Sequence, residues 1–131
     1  MRFPLSSLLG VLILAAGLSF ASAKAADETV YLSGIEDVPL MDGLSEDTEA
    51  GVVFDKPSGR IVEAVAAGSP SPEAVGRFYR ATLPELGWKT APPSDADRLV
   101  FRRDAEVLTL TLSRQDRLTV VRFSLAPLDA P

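Results

Sequence analysis

The chain of 131 residues contains no cysteine and no histidine. Without cysteine there is no disulfide framework, no thiol nucleophile and no thiol to which a lipid could be attached. Without histidine, the commonest general base and the commonest ligand of transition metals are missing. These absences exclude most hydrolase mechanisms and sites for zinc, haem or iron–sulfur clusters. We therefore expect a protein that is not an enzyme and that uses no cofactor and no metal.

Basic residues are missing from one part of the chain. Residues 25–55 contain nine acidic side chains and no basic one, whereas residues 56–131 contain nine acidic and eleven basic side chains. An acidic leader is thus followed by a mildly basic body. Because the body has no large net positive charge and no basic stripe interleaved with aromatics, nucleic acid is not an expected partner.

The first residues have the pattern of an export signal. Arg2 precedes an uncharged, mostly apolar run over residues 5–20, and the small residues 21–23 follow it. This pattern predicts a signal peptide over residues 1–23, with cleavage before Lys24 or Ala26. The apolar run is too short for an ordinary membrane helix, so we expect no stable membrane anchor after cleavage. An uncleaved N-terminal anchor is the alternative.

The acidic leader, residues 24–50, lacks any sustained hydrophobic period and contains glycine, proline and many carboxylates. Within it, the piece IEDVPLMDGL over residues 35–44 places aliphatic side chains around a proline. We expect this piece to lie extended against the body with its aliphatic side chains buried. The alternative is a disordered linker. Residues 51–131 then form a single folded domain.

The body begins with a predicted β-hairpin followed by a helix. Two β-rich runs, residues 52–54 and 60–67, are separated by the turn sequence of residues 56–59. Residues 71–73 read Ser-Pro-Glu, which is typical of a helix start with a hydroxyl cap and proline in the first turn. Apolar or small side chains then recur at helical spacing and form one stripe. These are Val75, Phe78, Tyr79, Thr82, Leu83 and Leu86.

Three further strand-like runs complete the body, at residues 99–103, 106–113 and 118–125. The last two alternate apolar and polar side chains, and short turns join all three, so the sequence predicts an antiparallel meander. One amphipathic helix can cover one face of such a sheet. The sequence therefore predicts a two-layer α+β fold, with one helix on an antiparallel sheet and the order β-β-α-β-β-β.

The second face of the predicted sheet is less polar than a solvated face should be. We predict that it carries the side chains of Val62, Val100, Leu118 and Val120, and that these residues bind a partner. Residues 26–50 could cover this face from within the chain. An envelope protein or a second copy of the chain could cover it from outside.

The helix end contains the only tryptophan of the chain, Trp88. Pro84 has no N–H to donate, so the last helical turn should tighten, and Gly87 is placed to take the left-handed conformation that ends a helix. In that ending Trp88 contacts Leu83 and acts as a packing plug. Tyr79 should then lie at the edge of the stripe, with its hydroxyl reaching a polar rim. The alternative is a small-ligand pocket formed by Tyr79 and Trp88.

Two motifs carry a resemblance to other proteins. They are VPLM-x-GL in the leader, at residues 38–44, and FY-x-x-x-LP-x-LGW at the helix end, at residues 78–88. Together with the export signal they resemble small exported proteins of Gram-negative bacteria whose activity is uncharacterised. The resemblance spans roughly residues 35–125; it implies a periplasmic domain of unknown function and supplies no catalytic residues. The sequence thus favours a non-enzymatic interaction or adaptor domain, with a small-ligand carrier as the alternative.

Overall fold

The computed structural model describes residues 28–129. The predicted signal peptide lies outside this range. Within it, one α-helix packs on a seven-stranded antiparallel sheet, so the predicted two-layer α+β fold is confirmed. None of the described helices has the length and apolar character needed to cross a membrane. The elements are β1 (Leu44–Glu46), β2 (Val52–Lys56), β3 (Gly59–Gly68), α1 (Pro72–Thr82), β4 (Lys89–Thr90), β5 (Arg98–Arg103), β6 (Glu106–Gln115) and β7 (Leu118–Pro127).

The strand order across the sheet is β1-β3-β7-β6-β5-β4, and β2 also pairs with β3. The predicted β2–β3 hairpin and the β5–β6–β7 meander are both present. β3 joins them by pairing with β7, so that Val62 lies opposite Leu125 and Gly68 lies opposite Thr119. On its other edge β3 pairs with β2 near its start and with β1 near its end. β1 and β2 are therefore two parts of one interrupted edge strand.

Helix α1 begins as its sequence predicts. The side chain of Ser71 accepts a hydrogen bond of 3.1 Å from the backbone N–H of Ala74, and Pro72 occupies the first turn. A capping oxygen of this kind satisfies one of the N–H groups that a helix start leaves without a partner. The short connection over residues 69–71 and this cap together fix where the chain crosses from the sheet to the helix layer.

The end of the helix also follows the prediction. Residues 83–86 tighten into a 3₁₀ turn, and Gly87 takes a φ of 91°. The N–H of Trp88 donates to the carbonyl oxygen of Leu83 at 3.1 Å, and the N–H of Gly87 donates to that of Pro84 at 3.1 Å. These two bonds are the Schellman pattern, which satisfies the last carbonyls and turns the chain back toward the sheet.

The two faces of the sheet are defined by cross-strand partners, which project to the same side. The inner face bears α1 and carries Ala64, Leu110 and Phe123, which lie opposite one another on β3, β6 and β7. The ring of Tyr79 on α1 packs edge-on against Phe123, with the ring centres 5.5 Å apart. The outer face is the opposite side, and it carries residues such as Phe54, Ile61, Val107 and Arg122.

The leader packs on the inner face beside α1. Leu32, Ile35 and Val38 are buried in the same core as the helix and the sheet. The described part of the leader folds back on itself, with hydrogen bonds from Leu32 N–H to the Val38 carbonyl at 3.0 Å and from Leu40 N–H to the Val30 carbonyl at 2.7 Å. Over residues 28–50 it is therefore an ordered part of the core, and a division at residue 51 does not separate two packing units.

The width of the sheet explains this position. Six strand positions spaced about 4.8 Å apart span about 24 Å, whereas a helix with its side chains is about 10 to 12 Å wide. One helix therefore leaves much of the inner face uncovered, and the leader covers part of the remainder; Val53 on β2 stays 47% exposed. The expectation that residues 26–50 could cover the second face is consequently wrong for the described residues, and the β2–β3 side of the outer face stays exposed.

Candidate functional site

Tyr79 holds the leader to the helix. Its side chain is fully buried, and its hydroxyl donates a hydrogen bond of 2.8 Å to the carbonyl oxygen of Pro39. The same hydroxyl accepts a bond of 3.2 Å from the backbone N–H of Met41. The prediction that this hydroxyl reaches a polar rim is wrong, because the leader lies over it. The phenol supplies partners for two backbone groups that the core would otherwise leave unpaired.

Burial raises the pKa of Tyr79 from 10.0 to about 12, and the hydrogen bond from the Met41 N–H opposes part of this rise. Removing the phenol from water disfavours its charged form. At neutral pH the hydroxyl therefore keeps its proton and can donate to Pro39. A phenol held in this way is a structural group and a poor general base.

The substitution Tyr79→Phe is expected to lower the free energy of unfolding by about 1 to 3 kcal/mol, because it leaves buried backbone groups of Pro39 and Met41 unpaired. Urea denaturation measures this, with Tyr31→Phe as the matched control because the Tyr31 side chain is 49% exposed. Equal losses in the two variants would contradict the role of the hydroxyl.

The same variant has a pH signature. Between pH 10 and about 12 the phenol is ionised in the unfolded chain and protonated in the folded one, so wild-type stability falls as the pH rises through this window. Tyr79→Phe should lack this part of the fall. The difference between wild type and variant should therefore shrink toward pH 12.

Trp88 and Arg103 connect the helix end to the leader. The indole is buried, and the Arg103 guanidinium carbon lies 4.2 Å from the centre of its ring. Arg103 also donates a bond of 3.1 Å to the Leu86 carbonyl and forms an ion pair with Asp37 of the leader. Trp88 is thus the packing plug that the sequence predicts. Arg103 was not predicted, because a charge at the end of a strand gives no sign of which partners surround it.

The cavities lie elsewhere. One of about 380 Å³ lies between the leader and the helix and is lined in part by Leu40, Met41 and Phe78. Two others, about 230 and 290 Å³, lie along the leader and β3. Tyr79 and Trp88 line none of these three cavities. Both side chains are buried within the hydrophobic core. Binding of a small ligand between them stays a prediction.

The four residues predicted to bind a partner do not lie together. Val62 is on the inner face and only 1% exposed, so its predicted place on the second face is wrong. Val100 is on the outer face but buried, with its N–H donating to the Ser94 hydroxyl of the neighbouring loop at 3.0 Å. Leu118 is 47% exposed beside the β6–β7 turn, and Val120 is half-buried on the outer face.

The misplacement of Val62 has a simple cause. Strand β3 has adjacent aliphatic residues at positions 61 and 62, so its sequence does not indicate which of them points inward. The pairing of β3 with β7 decides this, because Val62 lies opposite Leu125. A shift of one residue in that register would exchange every side chain between the two faces.

The β2–β3 side of the outer face is apolar. Val52 and Phe54 on β2 are 39% and 56% exposed, and Ile61 and Val65 on β3 are half-buried beside them. Phe54 lies directly opposite Ile61. We call these four residues the apolar half of the outer face. It remains open because β2 pairs with β3 alone and the described part of the leader packs on the other side.

The β4–β7 side of the outer face is cationic. Lys89 on β4 lies directly opposite Arg102 on β5, and Arg98 and Arg122 lie on either side of Thr111. We call these four basic residues the cationic half; all four are exposed. Among the described strand residues that project to this face, Glu63 alone is acidic, and it pairs with Arg122 at 3.6 Å.

No match was found when the chain was compared with protein-family models, curated proteins and solved structures. The function must therefore be inferred from the molecule itself. Within residues 28–129, no group of three or more carboxylates lies close enough together to hold a metal ion. The outer face, with its apolar and cationic halves, is the surface that the packing of the core does not explain.

Proposed function

We propose that this protein is a non-enzymatic interaction domain that docks another protein on the outer face of its sheet. One observation carries the proposal. Both covering elements, helix α1 and the leader, pack on the inner face, while the outer face keeps Val52 and Phe54 exposed. Exposed, contiguous apolar side chains with a polar surround are a mark of protein–protein contact surfaces. A protein partner would remove this apolar surface from water.

The middle of the outer face fits such a role. Around the central strands it carries small or hydroxyl-bearing side chains, including Thr109, Thr111 and Ser124. These side chains place hydrogen-bonding groups on the middle strands of the outer face. An exposed aromatic such as Phe54 suits an interface in which a few apolar anchors supply most of the binding energy. If the export signal acts as the sequence predicts, the partner is an envelope protein.

Substituting serine for Val52 and Phe54, the two exposed residues of the apolar half, tests this function. The double variant Val52→Ser with Phe54→Ser should recover about tenfold less of each specific partner than wild type, since truncating an aromatic anchor typically costs more than about 1 kcal/mol. Immobilised wild type and variant would be incubated with envelope extract, and the captured proteins quantified by mass spectrometry.

The matched control is Val30→Ser with Tyr31→Ser, which also removes one exposed valine and one exposed aromatic. These residues are 59% and 49% exposed and belong to the leader, away from the outer face. The control should capture the same proteins as wild type. Equal recovery by both double variants, or no specific capture by wild type, would refute docking on the outer face.

A further inference from the structure

The cationic half contains an arrangement that costs stability. Lys89 and Arg102 are direct cross-strand neighbours of like charge, and such pairs destabilise a sheet. Neither side chain takes part in an ion pair or hydrogen bond within the described residues. Within the described residues, no ion pair or hydrogen bond of these two side chains offsets their mutual repulsion. An acidic group from outside the chain would neutralise them and remove the repulsion.

Charge is separated between the two sides of the molecule. The leader places exposed acidic residues, among them Glu36 and Asp37, on the side of the inner face. The outer face carries five basic residues, the cationic half and Lys56, against Glu63. The whole chain has a formal net charge of −5. An acidic partner is therefore repelled from the leader side and attracted to the outer face, which favours one orientation.

The two halves also form one line across the sheet. Cross-strand partners align Phe54 with Ile61, Ala126 with Val107, and Arg102 with Val107 and Lys89; continuing the β3–β7 register by one residue places Ile61 opposite Ala126. This row runs from an aromatic at one edge to two cations at the other. It spans about 24 Å, because strands lie about 4.8 Å apart.

We propose that the partner contacts the outer face through an extended acidic segment, with aliphatic side chains over Phe54 and Ile61 and carboxylates at Arg102 and Lys89. This inference rests on the proposed function and specifies the chemistry of the partner. A span of about 24 Å corresponds to about seven extended residues. A single row with apolar and cationic ends matches a linear polypeptide. A flat anionic membrane would contact the cations equally well but has no counterpart to this order along one line.

The test uses a fluorescein-labelled seven-residue peptide with two leucines at one end and three glutamates at the other. Its binding to the chain without the predicted signal peptide, residues 24–131, is measured by fluorescence anisotropy at low and at physiological salt. We expect binding that weakens as salt rises, and no binding of the same peptide with lysines in place of the glutamates. The double variant K89E/R102E should lower the affinity about tenfold, since two attractive contacts become two repulsive ones.

The matched control is R114E/R117E, which makes the same change in net charge at the β6–β7 turn. Both arginines are exposed there. Its affinity should stay within about twofold of wild type, because charges more than a Debye length away are screened. K89Q/R102Q, which only removes the charges, should fall between wild type and K89E/R102E. Circular dichroism of every variant confirms that the fold is kept.

Several results would overturn the inference. Equal losses in K89E/R102E and R114E/R117E would mean that net charge alone attracts the peptide. Absence of peptide binding overturns it as well, whether or not the protein binds vesicles containing phosphatidylglycerol. Salt-sensitive self-association that K89E/R102E abolishes would assign the cations to a second copy of this chain. In each case, loss of partner capture by the Val52/Phe54 variant would still support the proposed function.

Discussion

Replacing Gly68 by alanine is expected to lower the free energy of unfolding by about 3 kcal/mol or more, at the upper end of the cost of overpacking. A Cβ atom at this position would lie 1.9 Å from the carbonyl oxygen of Gly43 and 2.8 Å from its carbonyl carbon. Both contacts are with backbone, so no side-chain rotation can relieve them. β1 would have to move away from β3, because Leu44 lies directly opposite Gly68.

The measurement is urea denaturation followed by far-ultraviolet circular dichroism. Gly51→Ala is the control, since its added Cβ would meet its nearest atoms at 3.5 Å, an ordinary contact. That variant should differ from wild type by less than about 0.5 kcal/mol. If the Gly68 variant unfolds at the same urea concentration as the Gly51 variant, the close crossing of the leader over β3 is not a tight contact in solution.

Truncating the tryptophan should have a comparable effect. Trp88→Ala is expected to cost about 3 to 5 kcal/mol, because it empties a large buried site between the helix end, β4 and the leader. It also removes the ring on which the Arg103 guanidinium stacks. Arg103 would keep its bond to Leu86, but its contact with Asp37 would lose part of its support.

Trp88→Phe separates the packing of the ring from its polar atom. The indole Nε1 is buried and makes no hydrogen bond within the described residues, so phenylalanine removes a costly polar group together with some volume. Its loss should be less than half that of Trp88→Ala. Circular dichroism is the suitable probe, since both variants lack the chain's only tryptophan fluorescence. Similar losses for the two variants would contradict a role based on filling space.

Local patterns in the sequence were sufficient for much of the fold. The helix start at Ser71 and its end at Gly87 each depend on residues within a few positions, so they could be predicted in atomic detail. The hairpins were also predicted, but β6 and β7 each extend two residues beyond their predicted ends, so the turn between them has two residues instead of four. Asp104 and Asp116 occupy those turns with φ near +50°, a conformation that aspartate tolerates better than most residues.

What could not be predicted depends on contacts between distant parts of the chain. The composition of the leader does not indicate which face of the sheet its aliphatic side chains cover. The leader packs on the inner face because one helix is too narrow to cover that face alone. The face of Val62 depended on the pairing of β3 with β7. The helical spacing predicted that Tyr79 belongs to the apolar stripe of the helix. It did not indicate that Pro39 and Met41 would cover the hydroxyl.

The candidate surface was half-predictable. The sequence indicated an incompletely polar second face, but of the four residues assigned to it only Leu118 and Val120 are accessible there or beside it. The cationic half was missed. Arg98 and Arg102 lie four residues apart on one strand and therefore share a face, so the sequence alone could have predicted this pair. Lys89 could be added only once β4 was known to pair with β5.

The pairing of β3 with β7 also determines the order in which the chain can fold. β3 is the third strand in sequence and β7 is the last, so the centre of the sheet cannot close until nearly the whole chain is available. The leader must wait as well, because its core contacts lie on those strands. Contacts between distant parts of a chain are slow to form. The described part of the leader therefore reaches its place in the core only late in folding, after β7 has paired with β3.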